Sequence, residues 1–527
     1  MEKKAPQRIA IVGSGLAGLT AAHILHSASH SLTIFEQSPE LSFDSASVSI
    51  GTPPSSSSNA RPVERIDLPM RAVAGGYYEN VVRMYAYLGI RLHPVRFLFV
   101  FARALGLGAP ADDHKAADRA YFVHASNLHR MPPRPENRSV VLHAVEVLFL
   151  IVCHFWFTAA CFLVPPTTKP AVARPLGDAE EDAGCAAERG YGEEKEEESL
   201  GEYVRRIWLP RRYVSHYLLP LMSSVATCSH SEMLDFPARD IVEYKRRSNG
   251  QQHYVVCGGV RRVQERLVQG ITDVRLGARV MRVQPVEGGV GVRWRSSSSS
   301  SSSCAGGWDT TEWEACEEEE EVFDRVILAV SPDVAGRIFS HVRALAGRIP
   351  TRQVESAVLC RTGGGSARTV VVEEEKDENG ARAPTRCAHH APVGQAQVIT
   401  FRTRFAGGES STGAVHEMPS GVLVQTCPLQ ESGSKPGGLG LELKTARFTR
   451  TLRTVESQRA VQRMMMRRTT AKASSKTHGR RDEWTNGQDG VWLVGAWCWD
   501  GMVLLEGCVV SAMRAARDMG VEAPWIR

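Results

Sequence analysis

RIAIVGSGLAGLTAAHILHSASHSLTIFE, residues 8–36, decides the fold. The apolar run RIAIV (8–12) reads as a buried strand, residues from about Leu16 to His26 as a helix, and SLTIFE (31–36) as a second strand. Between the first strand and the helix stands Gly13-Ser14-Gly15-Leu16-Ala17-Gly18, a G-x-G-x-x-G turn. Gly13 permits the tight turn, Gly15 lets the backbone approach a pyrophosphate, and Gly18 lets helix and sheet pack closely. The phosphates then face the N-terminus of the helix, where free N–H groups and the positive dipole end favour anions. Glu36 closes the second strand 18 residues after Gly18, where a carboxylate can accept hydrogen bonds from ribose hydroxyls. No arginine directly follows Glu36, which disfavours a 2′-phosphate. Strand, glycines, helix, strand and terminal acid together point to a dinucleotide, and by themselves do not distinguish FAD from NAD.

Working outward, 527 residues exceed one ordinary core, so two domains are expected. The composition, 43% hydrophobic and 23% charged, is that of a globular chain. A net charge of +5 without a basic stripe interleaved with aromatics gives no case for nucleic acid. The 12 cysteines show no C-x-x-C pair, and no metal site is expected. His23, His26 and His30 share a helix but no Cys or carboxylate completes a ligand set, so they read as a polar helix face. Lys3 and Lys4 precede an apolar run that leads into glycines rather than a cleavage site. Export is therefore not expected, and a cytoplasmic location is.

Three stretches read as low-complexity inserts with the character of mobile loops: 177–199, 296–321 with its serine tract and acidic run, and 467–488. VRLGARVMRVQPVEGGVGVRW (274–294) reads as two strands joined by a turn at Gly288-Gly289, and FDRVILAV (323–330) and DGVWLVGAW (489–497) as further strands. VVLHAVEVLFLIVCHFWFTAACFLV (140–164) is long enough to cross a bilayer, for which about 20 apolar residues suffice. It also carries His143, Glu146 and His154, and a charge near the centre of a span costs roughly 2.5–3.5 kcal/mol. The expectation is a buried helix, or one that dips into a membrane surface as a peripheral contact, ahead of a true span.

Near the C-terminus, GVWLVGAWCWDGMVLLEGCVVSAMRAARDMG (490–520) reads as a strand into Gly495, a loop with Trp497, Trp499 and Gly501, and a helix from about Leu504. Val509, Met513 and Ala516 share one helix face, expected to pack on the sheet. With Gly495, Gly501, Glu506-Gly507 and Ser511-Ala512, this segment resembles the flavin amine oxidase and phytoene desaturase superfamily. Within it the chain is similar to NAD/FAD-binding proteins of the amine-oxidase-domain kind. Residues 65–90, 199–238 and 253–271 carry the same resemblance. The sequence departs from the amine oxidase pattern in two places: 37–64 contains no Arg-x-Gly-Gly-Arg, and Gly495 is followed by Ala496 rather than an acid.

The resemblance implies an α/β fold, with a discontinuous Rossmann-like FAD-binding domain interleaved with an α+β substrate domain. The FAD-binding part would comprise 1–90, 251–335 and 489–527, and the substrate part 91–250 and 336–488. It further implies FAD as cofactor, with Asp67 to Arg71 approaching the isoalloxazine and Val280 to Val283 meeting the adenine side. Gly495, Leu504, Leu505 and Glu506 join the cofactor site, the helix N-terminus facing the flavin. Trp497 and Trp499 are candidates to wall a substrate cavity, and Cys498 reads as a buried thiol. No triad or paired carboxylates identify a catalytic residue. The implied activity is hydride transfer from a small-molecule C–H bond to flavin, from an amine or an apolar substrate. A lipid or polyene desaturase or isomerase, and a catalytically inactive flavin-binding scaffold, are the alternatives.

Overall fold

A computed structural model of the chain describes residues 6–51, 64–104, 118–125, 134, 139–170, 195–296, 318–360, 370–371, 397–405, 409–429, 440–465 and 484–526. Its organising element is a five-stranded parallel sheet. The strands are β1 (Arg8–Val12), β2 (Ser31–Glu36), β3 (Asp273–Leu276), β4 (Arg325–Leu328) and β5 (Val491–Leu493), in the spatial order β3-β2-β1-β4-β5. Ile11 pairs with Ile34 on one side and Ile327 on the other, all three fully buried. Burial on both faces is why these strands read as unbroken apolar runs. Helix α1 (Leu16–Ser27) carries the chain from β1 to β2. Strand order reverses between β1 and β4, and ligands of such sheets bind at this switch point beyond the C-terminal strand ends.

Strands separated by hundreds of residues thus share one sheet, and the Rossmann-like, mixed α/β architecture is present. The stretch 274–294 differs from expectation because it contributes to three strands. β3 ends at Leu276, and Gly277, with φ +64° and its N–H donating to Ser38 O (2.9 Å), redirects the chain. The hairpin Ala278–Val286 and Gly289–Ser296 follows, turning at Gly288 (φ +86°).

The acidic run is a second correction. Glu318–Phe323 is a strand antiparallel to Gly289–Ser296 rather than a loop. Arg293 faces Glu320 (3.1 Å), Arg295 faces Glu318 (2.7 Å), and Arg275 meets Glu321 (2.8 Å), so cross-strand cations relieve the like-charge repulsion. The other two inserts are also narrower than expected. Lys195–Glu197 pairs with Thr168–Pro170, and Ser199 forms a capping box with Glu202 at the head of helix Leu200–Arg206. Trp484 is buried, its Nε1 donating to Gln488 O (3.3 Å). Residues 177–194, 297–317 and 467–483 of those inserts lie outside the described residues.

A seven-stranded mixed sheet forms the second layer, running in space from Leu441–Thr451 to Asp118–Ala125. Three further helices position the site or its surroundings: α2 (Glu79–Tyr87), α3 (Val140–Leu163) and α4 (Ala238–Ser248). The C-terminal helix α5 (Leu505–Asp518) packs chiefly on α1, with α2 and β5 as lesser neighbours, and not mainly on the sheet. Small residues explain this: Ala512, Ala515 and Ala516 are buried in one cluster with Ala17, Ala21 and Ala22 of α1, allowing close approach.

Candidate functional site

The glycine-rich turn is crowded at two glycines and open at the third. Gly13 sits at φ +101°, and a Cβ there would lie 2.6 Å from Ala329 O. A Cβ on Gly18 would lie 2.0 Å from Gly13 O. At Gly15 a Cβ would meet no atom within 4 Å. Space is therefore kept in front of α1, whose first turn (Leu16, Ala17, Gly18) holds no acid and whose N-cap has no side-chain hydrogen bond. That positive end is left for an outside anion.

Glu36 stands beside this space and also braces the turn. Its Oε2 accepts from Ser14 N–H (3.0 Å) and Ser14 Oγ (2.6 Å), and its Oε1 from Ser38 N–H (3.0 Å). Two carboxylate oxygens offer about four acceptor sites, so a ribose hydroxyl can still be accommodated.

From the other end of the chain, Gly495 follows β5, and Ser511 Oγ accepts its N–H (2.9 Å). Leu504 is the extended N-cap residue of α5, and Leu505 and Glu506 open the helix. Helices α1 and α5 pack on each other, with the Cys508 thiol beside the backbone of Ala17 and Ala496. Glu506 is turned elsewhere. Its Oε1 accepts from Asn80 N–H (3.0 Å) and Asn80 Nδ2 (2.6 Å), and its Oε2 from Val81 N–H (3.1 Å), so it caps α2. Burial pushes its carboxyl above the ordinary range, and those donors pull it back.

Two arginines complete the centre. Arg71 donates to Phe43 O (2.8 Å) and lies 4.3 Å from the centre of the Phe43 ring. Burial lowers its pKa, with the charge of Asp67 opposing. Burial also lowers Arg450, and the like charge of Arg71 adds to that. Both arginines are only partly buried, and they stand close enough for their charges to interact. Asp67 faces the same region; burial raises its pKa, and its Oδ1 accepts Val260 N–H (3.1 Å). Burial drives the Cys508 thiol up to about 12, against the pull of Arg71. Two helix N-termini and two guanidinium groups make a centre suited to an anionic ligand.

The sequence residues Gly13 to Gly18, Glu36, Arg71, Gly495, Leu504, Leu505 and Glu506 are thus gathered from both ends of the chain. Val280 sits in the neighbouring sheet, at a bulge, buried in one cluster with Phe35 and Trp294. Arg450 and Cys508 were not anticipated. Arg450 lies in the exposed-looking strand LELKTARFTRT, where alternation gives no motif. Trp497 is buried and donates to Val330 O (3.0 Å), tying the loop to the end of β4. Trp499 packs on Gly507, where a Cβ would lie 2.4 Å from the indole. With Tyr77, Asp240, Gln458 and Gly501 it lines a cavity of about 220 Å³. Cys498 is buried. His23 packs edge-on against Tyr87, and among the described residues no three His, Cys, Asp or Glu are placed to hold a metal ion.

A family model described as an NAD(P)-binding Rossmann-like domain matches residues 11–88. No curated protein matches the sequence. Among solved structures, cyclohexylamine oxidase from Brevibacterium oxydans IH-35A superposes with TM-score 0.50 at 13% identity, covering 98% of each chain. An oxidoreductase from Methanosarcina mazei gives 0.49 at 11% identity, covering 97% of this chain and 100% of that one. The likeness at this identity is one of fold. The chain carries a Rossmann-like domain at its N-terminal end and shares the fold seen in cyclohexylamine oxidase.

Proposed function

We propose that the chain is an FAD-dependent oxidoreductase that takes a hydride from a substrate C–H bond. The observation that carries this is the packing of α1 on α5 beside open space at Gly15, with Arg71 and Arg450 close to Cys508 at the head of α5. In this proposal the backbone of Gly13 to Gly18 and the α1 N-terminus hold the pyrophosphate, and Glu36 holds the adenosine ribose. Val280 contributes to the adenine side. Gly495 and the α5 N-terminus at Leu504 and Leu505 face the isoalloxazine with Arg71, while Glu506 fixes that helix against α2. FAD, when bound, supplies the two-electron acceptor. The chain itself orients the cofactor, and its positive groups stabilise negative charge on the reduced ring.

The same reading divides the chain into an FAD-binding part, 1–90, 251–335 and 489–527, and a substrate part, 91–250 and 336–488. Support comes from β1 to β5, all of which fall in the first set.

The substrate class in this proposal is an amine or an apolar molecule. The cavity at Trp499 favours an amine: Tyr77 and Trp499 offer aromatic surface, and the buried Asp240 offers a carboxylate. Arg239, Arg247, Glu243 and Asp500 also line it, so both signs of charge are present at its mouth. Anaerobic addition of candidate amines to the FAD-loaded protein tests the proposal. Bleaching of the flavin band near about 450 nm is expected. Bleaching by lipids or polyenes alone would favour the desaturase alternative, and a flavin that no such compound reduces would favour the scaffold.

A further inference from the structure

Along α3 the exposed positions run from Val140 to Trp156 and resume at Phe162 and Leu163, and all of them but His154 are apolar. One face of the helix is buried: Val147, Leu150, Cys153 and Phe157 join the main core. On that face Glu146 takes hydrogen bonds from Arg212 and Tyr217, and the helix packs on α4. The opposite face is apolar and bare, with Leu148 64% and Phe155 72% exposed, and Val141, Val145, Ile151 and Val152 also exposed. Less than a third of the most apolar part of this helix is buried. A core helix would bury such residues, and a patch of this kind marks an interaction surface.

Crossing a bilayer is excluded by topology. β1 and β2 precede α3 and β3 to β5 follow it, yet all five share one sheet. Among the described residues α3 alone is long and apolar enough to cross, so a single crossing would separate strands that are hydrogen-bonded to one another.

The rim of the patch says what covers it. Arg212 reaches over the Phe149 ring (5.8 Å), Arg246 over the Phe162 ring (5.8 Å), and Arg206 donates to Pro165 O (3.0 Å). Arg205 and Arg211 are exposed nearby. Trp156 Nε1 donates to Ile207 O (2.8 Å), and the next residue, Trp208, is 86% exposed with φ +58°. An apolar helix face bordered by arginines and an outward indole is the pattern of a helix lying in the headgroup region of a bilayer.

We propose that α3 docks the protein onto the surface of an anionic lipid bilayer, its bare face entering the acyl boundary without crossing. Arg206 and Arg212 are held by Glu198 and Glu146, so Arg205, Arg211 and Arg246 meet lipid phosphates and carboxylates, and Trp208 sits at headgroup level. This is independent of the identity of the cofactor.

Flotation of the full chain with phosphatidylcholine vesicles, with and without phosphatidylserine, tests it. The protein is expected to float with the phosphatidylserine vesicles and to be released as salt is raised. The double substitution Ile151→Glu and Phe155→Glu should lower vesicle affinity at least tenfold with unchanged circular dichroism and melting temperature, since both side chains are exposed. Arg211→Glu should weaken binding by a smaller factor, and only to the anionic vesicles. The proposal is overturned if the native protein stays in the aqueous fraction with both vesicle types. It is equally overturned if the lipid-free protein is a stable dimer that Phe155→Glu dissociates, or if protease mapping places 1–139 and 165–527 on opposite sides of a membrane.

Discussion

The N-termini of α1 and α5 lie side by side but are finished in opposite ways. α1 has no acid in its first turn, no side-chain cap, and empty space where a Cβ on Gly15 would go. α5 has a buried acid in its first turn, but Glu506 spends its oxygens on Asn80 and Val81 of α2. One terminus is held open for a ligand, and the other is anchored to the frame that aims it. A residue in a cofactor motif can therefore act by locking a helix in place, and the two roles respond to different measurements.

The largest effect is expected at Gly18. A Cβ there would lie 2.0 Å from a backbone oxygen that cannot rotate away. Gly18→Val should cost about 3 kcal/mol or more, near the upper end of overpacking, and give a poorly folded chain by circular dichroism.

Glu506→Ala comes next. It removes the acceptor for three donors at the start of α2, and about 3 kcal/mol of stability should go with them. The contrast between the two helices breaks if the melting temperature is unchanged while FAD affinity alone falls, because Glu506 would then be a ligand residue.

Glu36→Ala should weaken FAD binding at least tenfold. A charged hydrogen bond to a ribose is worth roughly 1.5–3 kcal/mol, and Ser14 also loses its acceptor. Titration of the apoprotein with FAD measures this, and unchanged affinity would show that Glu36 only shapes the turn.

A buried acid without such donors makes the smallest and most specific test. Asp240 is raised to about 6 by burial, with Arg453 opposing at 3.8 Å, and its Oδ2 has no hydrogen-bond partner. The folded state therefore keeps a proton that the unfolded state releases near the ordinary value of 3.8. Stability from this group is present below the unfolded value and is lost as pH rises through about 6. Thermal melts across that window should show the decline, and Asp240→Asn should flatten it.

What the sequence made legible follows from where the information is local. Residues 8–36 hold strand, turn, helix and acid within one continuous pattern, and β1, α1 and β2 appear where that pattern puts them. β3 was hidden because four residues merge into the next apolar run, and only the left-handed Gly277 separates them. The acidic strand was hidden because its stability depends on Arg293, Arg295 and Arg275, none adjacent in sequence. Arg450 comes close to Arg71 and Cys508 through tertiary placement alone. Glu506 stood in the right segment, but its partners in α2 lie more than 400 residues away.

FAD binding at the α1 N-terminus is tested by the pair native protein and Gly15→Val. Because a Cβ at Gly15 meets nothing in the protein, the variant should fold with the native melting temperature when both are freed of cofactor. The native chain should take up one FAD and release it on denaturation, and the variant should take up none. A native chain that binds no FAD from excess cofactor, or a variant that binds it as tightly as the native chain, would contradict the account.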